Sequence, residues 1–439
     1  MDRPHPAAVS AFPPGSEVLR VRSPTSNPGP SDRLPLCLVG CGGMGRRHLS
    51  GYAALARSGL WQGDLVAVYD LRVEAAQALA DDAERLLGRR PVVHTDLDGV
   101  LADEWIAALD LVTDPSSHHA IAVPALRRGR HVLSEKPLGL TMRACQAMLD
   151  AAREGGAVLA TAENYRRGGP NRMARAVVDA GLLGRLHLMV QLMVGGSDRV
   201  LITPWRHLKQ SGSIALDMGV HLTDLVEFYL GPVETAYGRG IVAEPVRRSA
   251  EGDAVHATGE DSLLAQLRTT SGVEVQLAYV PSGPGLRYVQ RTIHGSAGSM
   301  VIPRDRTDGE VEVHRADGVL RGADLRAALG DAFTLDQRTV ALLGPDGTGG
   351  DVEFAEIDAG YLAVEIADFV DAVLTGRPPE VDGLAGARAV AGVLAVLESG
   401  VAGAPVRVED VLSGAVHAYQ DEIDEGLDLL AGSGEVASR

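Results

Sequence analysis

A short segment in the middle of the chain carries acidic and basic side chains at a spacing that suits chemistry. It runs Ser213-Ile-Ala-Leu-Asp217-Met-Gly-Val-His221-Leu-Thr-Asp224, and its apolar residues fit a helix. In a helix Asp217, His221 and Asp224 fall at i, i+4 and i+7 on one face. Such a stripe either lines a cleft or is partly solvated, and for Asp224 we expect solvation.

The two lysines are the next candidates. Of 41 basic residues only Lys136 and Lys209 are lysine. Lysine, unlike arginine, can change its protonation state near neutral pH when its surroundings lower its pKa. Lys136 lies in Ser134-Glu135-Lys136-Pro137, directly after a predicted strand. The carboxyl ends of parallel strands are where doubly wound sheets bind ligands, so this segment is a candidate site.

A glycine loop near the start of the chain predicts a dinucleotide site. Gly40-Cys41-Gly42-Gly43-Met44-Gly45 follows a predicted strand and opens a predicted helix. Its glycines allow a tight turn, close approach of the pyrophosphate and close packing of helix on strand. Asp70 ends the next strand, where a carboxylate can accept both ribose hydroxyls and would repel a 2′-phosphate. We therefore expect NAD rather than NADP, although Arg72 nearby could offset that charge.

The elements that must position these residues change character along the chain. Up to about residue 162 short apolar runs alternate with helical patterns, which predicts a parallel sheet covered on both faces. Strands then follow one another, and Ser262–Arg268 and Val273–Tyr279 form a predicted hairpin about a Ser-Gly turn. The fold class is therefore α/β, with a Rossmann sheet followed by an α+β domain that has a large open antiparallel sheet.

We divide the chain into four segments on these patterns. They are a disordered N-terminal tail (1–33), a parallel-sheet domain that carries the dinucleotide loop (34–162), a strand-rich second domain (163–358) and C-terminal helices packing back on the first domain (359–439). Residues 303–358 are rich in Gly and Asp and poorly patterned, so no element is predicted there.

Composition excludes several classes of function. A net charge of −17 argues against a nucleic-acid partner, whose binding needs a dense basic surface. The chain also lacks a run of eighteen apolar residues, which a membrane-spanning helix would need. Three cysteines form neither a disulfide framework nor a metal-binding spacing. We expect a cytoplasmic protein with no metal, no nucleic-acid partner and no membrane partner.

A polar loop just before the Asp/His segment is a candidate for substrate contact. It holds Trp205, Arg206, His207 and Lys209. Aromatic rings beside cations commonly grip sugar rings, but a surface loop whose tryptophan caps the core fits equally well. His48, three residues after the glycine loop, is interpreted as helix packing.

Taken together, these segments resemble the Gfo/Idh/MocA oxidoreductases, which include inositol dehydrogenases and glucose–fructose oxidoreductase. The resemblance rests on the stretches GCGGMGRRH, TDPSSHHAIAVPALRRGRHVLSEKPL, AENYRR, DMGVHLTD and FVDAVLTGRPPEV, which together span roughly residues 34–400. It implies that 34–162 is an NAD-binding Rossmann domain and that 163–358 is a substrate and oligomerisation domain, an α+β fold with a large open antiparallel sheet. It also implies assembly as a homodimer or homotetramer.

The resemblance also implies roles for residues. Lys136 matches the lysine of the Glu-Lys-Pro motif, whose proline turn is often cis at Pro137, and Asp217 and His221 match the Asp-x-Gly-x-His motif. His221 would be the general base, Lys136 would hold the reacting oxygen or itself move the proton, and Asp217 would orient His221 or bind a hydroxyl. Further matches give cofactor contacts at Glu135, Thr113, His118 and Asn164 and substrate contacts at Tyr165 and Arg166. Trp205 and Arg206 remain substrate-contact candidates from the chemistry of their loop alone. Asp114 stands where the family usually has proline, which leaves His118 and His119 as alternatives.

Three functions follow from this pattern. The first is an NAD-dependent dehydrogenase acting on a secondary ring hydroxyl of a sugar, glycoside or cyclitol. The second uses transient oxidation at C3 to cleave a glycoside with the cofactor regenerated in place. The third is a dinucleotide-sensing regulator without catalysis, which the presence of Lys136, Asp217 and His221 disfavours.

Overall fold

The computed structural model describes residues 33–307, 309–348 and 353–430. The predicted N-terminal tail lies outside these residues except for Arg33.

The first part of the chain forms a parallel six-stranded sheet, as predicted. Its strand order is β3-β2-β1-β4-β5-β6, and every pairing is parallel. The order reverses between β1 and β4, which is the switch point where such sheets bind ligands. The strands are β1 (Leu34–Val39), β2 (Gly63–Tyr69), β3 (Val92–His94), β4 (Ala108–Leu111), β5 (His131–Glu135) and β6 (Leu159–Ala162). The helices between them are α1 (Gly43–Arg57), α2 (Val73–Leu87), α3 (Leu97–Ala102), α4 (His118–Arg127) and α5 (Met142–Gly155).

A nine-stranded sheet forms the second layer of the molecule. The elements after β6 are α6 (Gly169–Asp179), β7 (Leu186–Val194), α7 (Ile214–Leu230), β8 (Val233–Ile241), β9 (Val246–Arg248), β10 (Ala254–His256), β11 (Ser262–Thr269), β12 (Glu274–Val280), β13 (Tyr288–Gly295), β14 (Gly298–Val301), β15 (Glu312–Arg315), β16 (Gly318–Leu320), α8 (Gly322–Leu329), α9 (Gln337–Leu343), α10 (Phe354–Thr375), α11 (Gly383–Ala402), β17 (Val406–Arg407), α12 (Val408–Leu412) and α13 (Asp421–Gly426). The sheet order is β16-β15-β14-β13-β7-β12-β11-β8-β17, and β9 and β10 form a separate ribbon.

This second sheet is mixed rather than wholly antiparallel. The predicted hairpin of β11 and β12 is antiparallel, but β12 runs parallel to β7. The parallel pair arises because β12 inserts between β11 and the much earlier strand β7. A pairing between strands 80 residues apart leaves no local turn signal in the sequence.

In the part of the chain that the structure describes, helices cover one face of the nine-stranded sheet and leave the other uncovered. The buried residues of β11 alternate with exposed ones, and a side chain at Gly219 of α7 would meet Leu263 of β11 at 2.8 Å. Gln266 and Leu264, on the opposite face, are exposed. The hydrophobic core therefore lies on the face of the sheet that the helices cover. Helix α7 lies between this sheet and the first domain.

Two long C-terminal helices tie the domains together. Helix α10 packs on α1 so closely that a side chain at Gly51 would approach the backbone of Ala363 at 3.2 Å. Helix α11 lies against both α7 and β8. By length and hydropathy α11 is the one helix among the described residues that could cross a membrane, but 72% of that stretch is buried inside the protein. Its packing accounts for its apolar character.

Candidate active site

The glycine loop has the geometry that a bound pyrophosphate requires. Gly40 has a φ of 101°, and a side chain at Gly45 would lie 2.1 Å from the Gly40 carbonyl oxygen. A side chain at Gly43, in contrast, would have no atom within 4 Å. The loop is therefore tightly packed where Gly45 meets Gly40 and open at Gly43. The open side lies at the amino terminus of α1, where free N–H groups and the helix dipole favour an anion. Met44 is half-buried beside this opening.

Asp70 binds the loop from the end of β2. Its carboxylate accepts a hydrogen bond from the Cys41 N–H at 2.8 Å and one from the Arg72 N–H at 2.9 Å. The exposed Arg72 side chain approaches Asp70 at 3.4 Å and extends towards Gly42. Carboxylate and guanidinium thus lie together where the ribose of a dinucleotide on this loop would reach.

Thr113 and His118 lie on either side of the loop after β4. The Thr113 methyl group would be 3.0 Å from a side chain at Gly40, so Thr113 forms the wall of the glycine loop. His118 is fully buried, with ring nitrogens 3.1 Å from the Pro137 carbonyl oxygen and 3.3 Å from that of Thr113. Burial lowers the pKa of His118. The buried ring at 118 therefore braces the Lys136–Pro137 turn, which is cis.

Behind this turn lies a buried group of acids around one histidine. His48 Nδ1 lies 2.8 Å from Asp110 and Nε2 lies 3.2 Å from Glu135, whose other oxygen accepts the Lys136 N–H. Burial alone would lower the pKa of His48, but the two carboxylates outweigh it and raise that pKa well above its usual value. His48 is therefore a buried cation that holds the helix after the glycine loop onto β4 and β5.

Lys136 and Asp217 meet where the two domains face each other. Lys136 Nζ donates to the Asp217 carboxylate and to the Asp217 backbone oxygen, both at 2.8 Å. Arg206 Nε donates to the other carboxylate oxygen at 3.0 Å. Burial would raise the pKa of Asp217, but Lys136 and Arg206 lower it. One buried carboxylate thus anchors two cations.

His221 is held by a residue that the sequence analysis did not single out. Its Nδ1 lies 2.8 and 2.7 Å from the two oxygens of Glu163, the residue after β6. The Tyr165 ring stacks on the imidazole, with centroids 4.0 Å apart and planes at 5°. The expectation that Asp217 orients His221 is therefore wrong, because the Asp217 oxygens are engaged by Lys136 and Arg206.

Two other residues singled out from the sequence, Asp224 and Asn164, are buried. Asp224 is only 2% exposed, and Arg166 binds both of its oxygens, one of them at 2.9 Å. Our expectation of a solvated Asp224 is therefore wrong, since Arg166 compensates its burial. Burial is also the main cause that raises the pKa of Asp224 to about 7. Asn164 is likewise buried and accepts a hydrogen bond from Arg306 at 2.9 Å.

The loop before α7 closes one side of the site. The Arg206 guanidinium stacks on the half-buried Trp205 ring at 4.2 Å, so the two side chains present one surface beside Asp217. Lys209 points away from the site, where it pairs with Glu422 at 2.8 Å and lies over the Tyr419 ring. Of the two lysines only Lys136 lies in the candidate active site.

Family models match both domains. Residues 35–163 match the oxidoreductase family with an NAD-binding Rossmann fold, and residues 171–301 match the GFO/IDH/MocA C-terminal domain. The chain belongs to the Gfo/Idh/MocA oxidoreductase family. As a member it is an oxidoreductase that uses NAD, and the open glycine loop with Asp70 fits that cofactor.

Several characterised relatives are similar to this chain over most of its length. Levoglucosan dehydrogenase of Pseudarthrobacter phenanthrenivorans is 28% identical over 293 residues, which cover 63% of this chain and 75% of that protein. Inositol 2-dehydrogenase 2 of Saccharopolyspora erythraea is 27% identical over 349 residues, 79% of this chain and 94% of that protein. A levoglucosan dehydrogenase structure in complex with NADH and L-sorbose shares the fold with a TM-score of 0.70 at 22% identity, covering 87% of this chain and 100% of that one.

In this member of the Gfo/Idh/MocA family the candidate active site draws residues from both domains. Lys136 comes from the end of β5, Glu163 from the end of β6, and Asp217 and His221 from α7. A signal for Glu163 was present in the sequence, because a carboxylate directly after a buried parallel strand lies at the ligand-binding edge of the sheet. Its partner could not be identified, since 58 residues separate it from His221.

Proposed function

We propose that this protein is an NAD-dependent dehydrogenase that oxidises a secondary ring hydroxyl of a sugar, glycoside or cyclitol, or reduces the corresponding ketone. The observation that carries the proposal is the contact of Lys136 with Asp217, which brings the Glu-Lys-Pro turn of the NAD domain onto the Asp/His helix. Relatives named for levoglucosan, inositol and D-apiose support the substrate class.

Each side chain then has a defined task. NAD bound on the glycine loop supplies the hydride acceptor. Lys136, fixed by two Asp217 oxygens, holds the reacting oxygen and stabilises the negative charge that develops on it. His221 takes the hydroxyl proton and returns it in the reverse direction. Because Lys136 is anchored as a donor to oxygens, we assign proton transfer to His221 rather than to Lys136.

Substrate contacts are proposed for the side chains around this pair. Trp205 and Arg206 offer an apolar ring and a cation beside Asp217, an arrangement that suits stacking on a sugar ring and hydrogen bonds to its hydroxyls. Tyr165 lies on the other side, stacked on His221. For Arg166 we propose an indirect contribution, through its ion pair with Asp224.

We further propose a cytoplasmic homo-oligomer, a dimer or tetramer. Its support is the uncovered face of the nine-stranded sheet, where Leu264, Ala278 and Leu192 lie side by side on three adjacent strands. Leu264 is 38% exposed and Tyr237 on β8 is 52% exposed on the same face. An apolar face of this kind is commonly covered by another copy of a chain.

Screening tests the proposed function. The purified protein is incubated with NAD or NADP and a panel of inositols, free sugars and glycosides, and absorbance of the reduced nicotinamide is followed. We expect NADH to accumulate with at least one ring polyol. Glycoside cleavage without accumulation of NADH would instead support transient oxidation with recycling of the cofactor. No turnover of either kind with any member of the panel would contradict the proposal.

A further inference from the structure

We infer that Glu163 is the positioning residue of His221, fixing its ring tautomer and balancing the charge that it gains during turnover. The inference rests on the proposed function, in which His221 is the base. Neither residue identity nor spacing in the Asp-x-Gly-x-His segment indicates this partner, which follows β6 and lies 58 residues earlier in the chain.

The contact is short, buried and doubly supported. Glu163 and His221 are 2% and 4% exposed, and both carboxylate oxygens lie within 2.8 Å of His221 Nδ1. The Tyr165 N–H donates to Glu163 at 2.9 Å, and the Tyr165 ring covers the imidazole face. Carboxylate and ring are therefore each held from a second direction, which leaves the imidazole little freedom to rotate.

This geometry assigns the two nitrogens of His221. A carboxylate can only accept, so Nδ1 carries the hydrogen and Nε2 is left with its lone pair. His221 Nε2 has no hydrogen-bond partner among the described residues, whose bonds to this ring are both at Nδ1. Nε2 is thus the atom that takes the proton of the substrate hydroxyl, while Nδ1 remains bonded to Glu163.

The proton balance is simple. The hydroxyl O–H bond breaks and an Nε2–H bond forms, so that His221 becomes an imidazolium facing the Glu163 carboxylate. Glu163 keeps its negative charge, and after oxidation the proton leaves Nε2 for solvent. In the reverse reaction Nε2–H returns it to the oxygen of the ketone as that oxygen becomes the hydroxyl. A negative Glu163 is favoured by its surroundings, because His221 overcomes the effect of burial and lowers the pKa of Glu163.

Other charged groups also act on this pair and must be held constant in any test. They are Lys136 after β5, Arg166 after β6, Asp224 on α7, Glu365 on α10 and Asp305 in the loop after β14. Within residues 33–307, 309–348 and 353–430, Glu163 alone has a side chain hydrogen-bonded to the His221 ring. A substitution at Glu163 should therefore alter the pH dependence in a way that its neighbours do not reproduce.

The variant Glu163→Gln tests the inference by its pH profile. An amide can donate to Nδ1 and stabilise the wrong tautomer, and it cannot balance an imidazolium. We expect kcat to fall by roughly 10²- to 10⁴-fold, as for orienting carboxylates in general, with NAD binding unchanged. The acid limb of kcat/KM should move to lower pH. Glu163→Asp, which retains the charge, should keep the wild-type acid limb at reduced kcat.

Glu398→Gln is the matched control. Glu398 is 1% exposed and accepts a backbone N–H from Tyr419 at 2.9 Å, as Glu163 does from Tyr165, but it lies on α11 outside the site. It should lose stability without any change in the pH profile. A wild-type pH profile and kcat in Glu163→Gln, or the same shifted limb in Glu163→Asp, would overturn the inference.

A measurement on the unsubstituted protein avoids any problem of folding. In ¹⁵N-histidine NMR of the NAD complex, with His221→Gln used for assignment, we expect a protonated Nδ1 and an unprotonated Nε2 at alkaline pH. The opposite tautomer would overturn the inference. This result does not depend on turnover, so it is distinguishable from failure of the proposed function, which would appear as a wild-type protein inactive on the whole panel.

Discussion

At the scale of single residues, the decisive feature is one buried carboxylate shared by two cations. Asp217 binds Lys136 and Arg206, and its own pKa is lowered by both despite burial. One negative charge against two positive charges leaves the Lys136–Asp217–Arg206 contact itself positive, although the whole chain carries −17 and the Glu163 carboxylate lies on His221. Cations held in a site of low dielectric favour the alkoxide character that the substrate oxygen acquires.

Cofactor preference is a second property of single residues. Because Asp70 lies where the ribose is expected, Asp70→Ala should weaken NAD binding by roughly 10- to 100-fold, the equivalent of one or two lost hydrogen bonds to a charged group. It should also relax discrimination against NADP. Titration of NAD and NADP by quenching of tryptophan fluorescence measures both effects.

Asp64→Ala provides the control for this substitution. Asp64 is on the same strand, near its opposite end, where it pairs with Arg89 at 2.7 Å. It should leave both affinities unchanged. Tighter binding of NADP than of NAD by the unsubstituted protein would show that Asp70 does not select the cofactor and that Arg72 dominates.

Residue types and spacing predicted Asp217 and His221 on one helix face and Lys136 as a separate candidate, and the family resemblance joined them. In the structure Lys136 contacts Asp217, which lies one turn from His221 on α7. Partners far apart along the chain could not be predicted. Arg166 and Asp224, like Glu163 and His221, are 58 residues apart and meet only through tertiary folding. Solvation was the reasonable expectation for an isolated acid such as Asp224, because its compensating arginine is invisible in a local pattern.

At the scale of elements, the glycine loop and α1 act as one unit. Gly45→Ala would place a methyl group 2.1 Å from the Gly40 carbonyl oxygen, so the turn must open. We expect NAD affinity to fall at least roughly tenfold and the free energy of unfolding to fall by about 1–3 kcal/mol, as for overpacked sites. Isothermal titration with NAD and urea unfolding measure the two effects.

Gly43→Ala separates steric strain from helix propensity in the unfolding experiment. Its added methyl group would meet no atom within 4 Å, and alanine is the better helix former. Its stability should therefore equal or exceed that of the unsubstituted protein. Equal stability of Gly45→Ala and Gly43→Ala would contradict the steric argument.

Elements with a strong periodicity were predictable, and weakly patterned ones were not. The predicted strands Ser262–Arg268 and Val273–Tyr279 are found as β11 (Ser262–Thr269) and β12 (Glu274–Val280), with each end within one residue of the prediction. Within 303–358, where no element was predicted, the structure has β15, β16, α8 and α9. These are short elements of three to eight residues in which few side chains are buried, so their sequences carry little periodic signal.

At the scale of the whole molecule, one buried cluster holds several layers together. His48 of α1 binds Asp110 of β4 and Glu135 of β5, and the polar atoms of His48, Glu135 and Glu365 of α10 lie within 4.8 Å of one another. Burial, with the nearby Glu135 adding to it, raises the pKa of Glu365 and favours its neutral form. The imidazolium of His48 therefore balances Asp110 and Glu135.

Stability should depend on pH through His48. Its folded pKa is raised, so its contribution is fully present below the unfolded value of about 6.5 and is lost as pH rises through the folded value. His48→Gln should lower the free energy of unfolding by about 3–5 kcal/mol at pH 6, because it leaves buried carboxylates unpaired. The difference from the unsubstituted protein should shrink at alkaline pH, as followed by urea unfolding.

His256→Gln, on the exposed strand β10, is the control for this measurement and should show no such pH dependence. A stability difference for His48→Gln that is constant from pH 5 to pH 9, or that grows with pH, would show that His48 is not a buried cation. The interpretation of His48 as simple helix packing would then suffice.

The central claim is that Lys136 of one domain and His221 of the other act together on the substrate. The most direct test follows NADH formation with the best substrate of the panel in Lys136→Met and in His221→Ala, with NAD binding measured in parallel. We expect kcat/KM to fall by roughly 10²- to 10⁴-fold in each variant while NAD still binds, since each loses a group that acts mainly in the transition state. Activity surviving unchanged in both variants would contradict the account.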